Sequence, residues 1–302
     1  MARIALKVDV DTLRGTREGV PRLLRILERR KLLATFLFSL GPDHTGWALK
    51  RVFRPGFLSK VSRTSVRKHY GLKTLMYGVL LPAPDIGSVA AEPMREARRA
   101  GHECGIHCWD HVVWQDQVRS RDEAWTRRQM GMAYQRYGDI FGEKPATHGA
   151  AGWQMNGAAF RQLDDWGLAY ASDGRAGLGS APHRLLVDGR ALSHVQLPTT
   201  LPTLDELLGD HGIDEANVAR TLLAMTQIDE DQVYTRHAEL EGGLLAPAFE
   251  ALLDGWAAQG HRLVTLGGLY ASLGARPVPE MAMHWGTVAG RSGELIVAGQ
   301  PA

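Results

Sequence analysis

The 302-residue sequence predicts a single α/β domain, and three observations lead there. Short apolar runs alternate with helical patterns along most of the chain, as repeated βα units require. Gly101, Gly167 and Gly260 each stand where a helical pattern gives way to the next run, the usual place for a helix stop. No low-complexity linker and no exact repeat divides the chain.

Taken in order, Ile4 to Val10 reads as a strand, and Pro21 suits the first position of a helix carrying Leu23, Leu24, Ile26 and Leu27. The apolar run LLATFLF follows as the next strand. Further on, EPMREARRAG leads into HECGIHCW, FRQLDDWG into LAYASD, and FEALLDGWAAQG into HRLVTL. The expected organisation is one domain over residues 1–275, an insertion at about 43–85, and a C-terminal tail over 276–302. Closure of the parallel strands into a barrel is the expected architecture.

Composition removes several function classes. Hydrophobic residues at 44% and charged residues at 23% describe a chain able to build a core, not a disordered or disulfide-built one. Two cysteines, Cys104 and Cys108, are too few for a secreted disulfide framework and favour a reducing compartment. Lys7 and Asp9 interrupt the N-terminus before an export signal could develop. The longest apolar runs fall far short of the roughly 20 residues that cross a bilayer. From His44 to Pro84 there is no acidic residue, while Lys50, Arg51, Arg54, Lys60, Arg63, Arg67, Lys68 and Lys73 all lie there. The overall charge is +2, so the rest of the chain is net negative, and the asymmetry points to an anionic partner.

Two clusters carry chemistry. Alternation along the first strand sends Ile4, Leu6, Val8 and Val10 to one face and turns Asp9 and Asp11 to the other. Both acids fall at a strand end, where parallel barrels build their sites; alternatively they are solvated loop acids. In H107-C-W-D-H111, histidines four apart share a face if the segment is helical, an arrangement that grips a metal. Two hydrogen-bonded loop histidines, or a zinc grouping of His107 with the two cysteines, are the alternatives. One carboxylate and two imidazoles would leave coordination positions open for water and substrate, which suits catalysis. Asp9 stands beside the ligand set as the candidate base, and Asp110 could orient one of the histidines.

V8-D-V-D11 followed by H107-C-W-D-H111 resembles the first two motifs of the NodB-type polysaccharide deacetylases, a carbohydrate esterase family. The resemblance covers roughly residues 1 to 270. It implies a distorted (β/α) barrel and one divalent metal on Asp11, His107 and His111, with zinc the first choice and cobalt, manganese or iron also suited. It implies Asp9 as base and His237, in V233-Y-T-R-H237, as the acid that protonates the leaving amine. His148, in P145-A-T-H148-G-A-A-G-W153, takes the position of the family's loop arginine, which leaves the orientation of Asp9 without its usual support. Asp173, in A169-Y-A-S-D173, matches the fourth-motif acid and is expected to hold His237. The whole set is similar to a branch of the family that removes formate from 4-deoxy-4-formamido-L-arabinose carried on undecaprenyl phosphate. That branch belongs to lipid A aminoarabinose modification and polymyxin resistance.

An enzyme on such a substrate must meet a membrane surface. The eight cations of the insertion, interleaved with apolar residues, are the expected lipid-binding groups, at the cytoplasmic face of the inner membrane. A solvated basic flap is the alternative. No nucleic-acid-binding motif accompanies the charge, and no obligate protein partner is evident. Two other functions remain in view: deacetylation of another N-acyl sugar or polysaccharide, and non-catalytic binding of lipid or glycan.

Overall fold

A computed structural model describes residues 2–48 and 71–301. Lys50, Arg51, Arg54, Lys60, Arg63, Arg67 and Lys68 lie outside the described residues; Lys73 is exposed in the short helix Leu72–Met76.

The first strand, β1 (Arg3–Val10), is the centre of a parallel sheet and is buried on both faces, which is why its apolar run is nearly continuous. It pairs with β2 (Thr35–Ser39) on one side and β8 (Gln232–His237) on the other, and β3 (Glu103–Cys108) follows β2. The short β9 (Arg262–Val264) joins the N-terminal half of β1. Ile4, Leu6, Val8 and Val10 face outward against helices, as alternation predicts. The helices on that side include α1 (Val20–Arg29), α2 (Ala91–Arg99) and α9 (Ala246–Ala258), whose apolar stripes fill the main core.

The remaining wall of the barrel is carried by short pieces. Ile106 donates to the Thr147 carbonyl and Gly149 to that of Ile106, so residues 147–149 extend the sheet past β3. Ser172 donates to the His148 carbonyl, which brings in β4 (Tyr170–Ala171); β4 pairs with β7 (Val195–Gln196). Thr200 and Leu201 both donate to the Val233 carbonyl and return the circuit to β8. The ladders themselves form an open parallel sheet, and single bonds through these short pieces continue it from the β3 edge toward β8 in the manner of a distorted barrel.

Outside the ring, α3 (His111–Gln117), α4 (Glu123–Phe141) and α5 (Gly157–Asp165) cover the β3 to β4 side. Further elements are β5 (Arg184–Val187), β6 (Arg190–Ala191), α6 (Leu204–Leu207), α7 (Val218–Met225), α8 (Ala238–Glu241) and α10 (Leu266–Ala271). The segment expected as a tail contains the strands β10 (Glu280–Gly286) and β11 (Leu295–Pro301), an antiparallel hairpin. β10 pairs with β5, and Val297 of β11 bridges to Arg175, so the hairpin is stitched to the barrel.

Candidate metal centre

The inward face of β1 carries Ala5, Lys7 and Asp9, and Asp11 follows one residue past the strand. Register places His237, the last residue of β8, directly beside Asp9. β3 ends at the same level, and its alternation turns His107 inward while Cys104 joins the outer core. Three strand ends thus converge.

Asp11 Oδ1 lies 3.2 Å from His107 Nε2 and its Oδ2 lies 3.4 Å from His111 Nε2. The donor atoms of Asp11, His107 and His111 all fall within 4.8 Å of one another, the one such grouping among the described residues. His107 Nδ1 donates to the Gly149 carbonyl at 2.6 Å, which fixes the tautomer and leaves the Nε2 lone pair facing Asp11. Asp11 Oδ1 is buried and makes no hydrogen bond. Burial opposes its ionisation, yet His111, His107 and His237 together hold its carboxyl below the ordinary range. A negative carboxylate, an oriented imidazole and an orphaned buried oxygen facing one point fit a divalent cation, and the set leaves coordination positions open.

The structure decides between the alternatives. His107 and His111 do not share a helix face: one is the last but one residue of β3 and the other begins α3, across a turn where Asp110 caps the helix and its Oδ1 accepts from the Val113 amide at 3.0 Å. Their rings meet across that turn, 5.3 Å between centroids. Asp110 also contacts His44 Nδ1 at 2.5 Å. The cysteines take no part. Cys108 packs beside Ser39, and burial pushes both thiols up, Cys104 to about 12.

Asp9 is 3% exposed, and its Oδ2 lies 3.5 Å from the ammonium of Lys7, which has no exposed surface. Lys7 Nζ donates to the Ser172 carbonyl at 2.9 Å. A Cβ at Gly149 would stand 2.3 Å from a Leu37 methyl and 3.0 Å from Lys7 Cε, so the loop whose carbonyl meets His107 packs closely over both side chains. The cation beside Asp9 therefore comes from its own strand. His148, at the loop-arginine position, faces Asp173 instead, with Nδ1 at 2.6 Å from Oδ1. Asp173 also accepts from Gln196 at 2.8 Å. Contrary to the expectation, the carboxylate at His237 is Asp205, 3.6 Å from Nδ1. Burial alone would lower the His237 pKa; Asp205 first and Asp11 second raise it above the ordinary value.

Sequence reasoning missed Lys7, Asp205 and Glu239. Glu239 Oε1 accepts from the amides of Asp11 and Thr12, at 3.1 and 2.8 Å, and from the Thr12 hydroxyl at 2.7 Å, fixing the turn that presents Asp11. Burial and the neighbouring Asp11 push its carboxyl up to about 8. Alternation could have found Lys7, two residues before Asp9 on the same face; Asp205 and Glu239 carry no such signal.

A parallel barrel with an Asp-His-His grouping at its strand ends is the architecture of the NodB-type polysaccharide deacetylases. A crystal structure from Mycobacterium smegmatis described as a polysaccharide deacetylase superposes with a TM-score of 0.65 at 19% identity, covering 95% of each chain. The Xyl-CE4 domain of a xylanase from the hindgut metagenome of Trinervitermes trinervoides gives 0.53 at 13% identity, over 91% of this chain and 93% of that one. No family model matches the sequence. A protein of Shewanella sediminis (strain HAW-EB3) named "Probable 4-deoxy-4-formamido-L-arabinose-phosphoundecaprenol deformylase ArnD" is 37% identical over 259 residues, 84% of this chain and 81% of that protein. Its namesake from Wigglesworthia glossinidia brevipalpis is 33% identical over 242 residues, 80% of this chain and 83% of that protein. The chain belongs to the ArnD deformylase family.

Proposed function

We propose that this chain is a metal-dependent amide hydrolase that removes formate from 4-deoxy-4-formamido-L-arabinose linked to undecaprenyl phosphate. The observation that carries the reading is the Asp11, His107 and His111 grouping with Asp9 and His237 side by side at the same level. The names of the two relatives supply the substrate.

Asp11, His107 and His111 would hold one divalent cation, zinc by its donor set, which supplies Lewis acidity toward the acyl oxygen and acidifies water. Asp9, held by Lys7, takes a proton from the attacking water at its unpartnered Oδ1. His237, with Nδ1 turned to Asp205, presents Nε2 to the departing nitrogen. As the carbon–nitrogen bond breaks, that nitrogen takes the His237 proton and leaves as the amine beside formate. His148 and Asp173, paired behind the Ile106 edge of β3, support the loop that orients His107. The test is formate release from the purified formamido-arabinosyl lipid in detergent. Release with zinc, cobalt, manganese or iron is expected, faster than acetate from the N-acetyl counterpart; no release with any of them overturns the reading.

The same reading places the enzyme at the cytoplasmic face of the inner membrane. Leu72 at 58%, Val79 at 53% and Leu80 at 77% exposure lie within a few residues of Lys73 in the chain, and no helix among the described residues is long and apolar enough to cross a bilayer. Binding to anionic liposomes should weaken at high salt and on neutralising Lys50, Arg51 and Arg54 together. Unchanged sedimentation would remove this part of the proposal.

A further inference from the structure

An imidazole that gives its proton from Nε2 needs Nδ1–H held, and a carboxylate at Nδ1 both selects that tautomer and stabilises the charged ring. Asp173, the acid expected there, is engaged with His148 and Gln196. Asp205 stands in its stead as an ion-pair partner, 3.6 Å from a buried Nδ1 that makes no direct hydrogen bond. It sits in the first turn of α6, where Thr203 and Glu206 form a reciprocal cap, and Thr203 Oγ1 donates to its Oδ1 at 2.7 Å.

Asp205 is itself held from the far end of the chain. Arg291, in the loop between β10 and β11, lies 3.3 Å from Asp205 Oδ2 and donates from Nε to Glu206 Oε1 at 2.6 Å. Arg175 donates to both oxygens of Glu206, at 2.5 and 3.1 Å. Both guanidiniums lie over the Trp153 ring, 4.7 Å from its centroid for Arg175 and 4.8 Å for Arg291. Gly290 has φ +78°, and a Cβ there would stand 2.6 Å from the Glu206 carbonyl oxygen. The loop is therefore seated against the backbone of α6, with Arg291 as the next residue.

We propose that Asp205 and Arg291 are the positioning pair for His237, so that the C-terminal hairpin completes the active site. This rests on the reading of His237 as proton donor. Asp205, Asp11 and Glu241 face His237 with negative charge and Arg291 with positive, so removing Asp205 alters both its aim and its balance of charge.

The experiment uses the full-length, zinc-loaded enzyme and two substrates, the formamido-arabinosyl lipid and 4-nitrophenyl acetate, whose leaving group departs without a proton. Asp205→Asn should lower kcat on the formamide about 100-fold and Arg291→Met about 10-fold, with KM within twofold and zinc content unchanged. Both variants should keep aryl-ester turnover within threefold, a split that a merely structural role would not produce. The charge-keeping Asp205→Glu should recover at least a tenth of the wild-type formamide rate. Equal losses on the two substrates, or an unaltered formamide rate, overturn the pair while leaving the deformylase reading intact. A wild-type enzyme that cleaves the ester but releases no formate overturns that reading, and the pair with it.

Discussion

Burying an ammonium costs several kcal/mol unless a counterion and hydrogen bonds meet it. Lys7 meets both, in the Ser172 carbonyl and the Asp9 carboxylate. Asp9 depends on Lys7 in turn, because it is nearly as deeply buried and its Oδ1 makes no hydrogen bond. Lys7→Met should therefore destabilise the protein by about 3 kcal/mol by stranding a buried carboxylate. Adding Asp9→Asn should restore at least half of that loss in urea unfolding, while hydrolysis stays abolished. A double variant as unstable as the sum of the single changes would show that the two groups do not support each other. Asp9, Asp11, His107, His111 and His237 were legible in the sequence because each sits at or just beyond the end of an apolar run. Asp205 and Arg291 were not: their partners are fixed by tertiary packing, and neither lies in a pattern of period two or of helical period.

At the scale of elements, the connections into β2 and β3 are joined by a buried imidazole. His102 is 3% exposed, packs edge-on to Phe36 with centroids 5.1 Å apart, and accepts the Ala34 amide at Nδ1, 3.1 Å away. Burial first, and Arg236 second, lower its pKa to about 4. In the unfolded chain it titrates near the ordinary histidine value of about 6.5, so between these values the unfolded state binds the extra proton. Its contribution to stability is complete above the unfolded value and is lost as pH falls toward 4. Between pH 7 and pH 5 the wild type should lose about 2 kcal/mol more than His102→Asn, although the variant starts less stable. Urea midpoints at the two pH values decide it, and parallel losses would mean that His102 is not the group responsible. β1, β2 and β3 could be read in advance because strands buried on both faces appear as largely apolar runs, broken in β1 and β3 by the few polar residues that face the site or the sheet edge. Of the wall from residue 147 to 201 only the run LAYASD, which holds β4, could be read, since each other piece contributes two paired residues or a single bond. HxxxH brings its histidines together by a route the spacing does not show: His107 lies in β3, and Asp110 caps the helix that His111 begins.

For the molecule as a whole, the proposed metal would tie together the ends of β1 and β3 and the first turn of α3, elements whose apolar residues already belong to continuous cores. None of its ligands belongs to those clusters, so the metal-free chain should keep its fold and its far-ultraviolet spectrum. It should still be less stable, because a ligand that binds only the folded state adds stability in proportion to the logarithm of its excess over Kd. At about a thousandfold excess that is about 4 kcal/mol, or roughly 8 °C in melting temperature for a chain of this size. Stripping zinc with a chelator should lower the melting temperature by that amount, and zinc alone should restore it. Asp11→Asn, which removes the one anionic ligand, should melt at the same temperature with and without chelator. Glu239→Gln separates the metal from the turn that carries its ligand: it keeps an acceptor for the Asp11 and Thr12 amides, and so should retain most of the chelator response. If wild type and Asp11→Asn lose the same number of degrees, the ion acts elsewhere and Asp11, His107 and His111 are not its site.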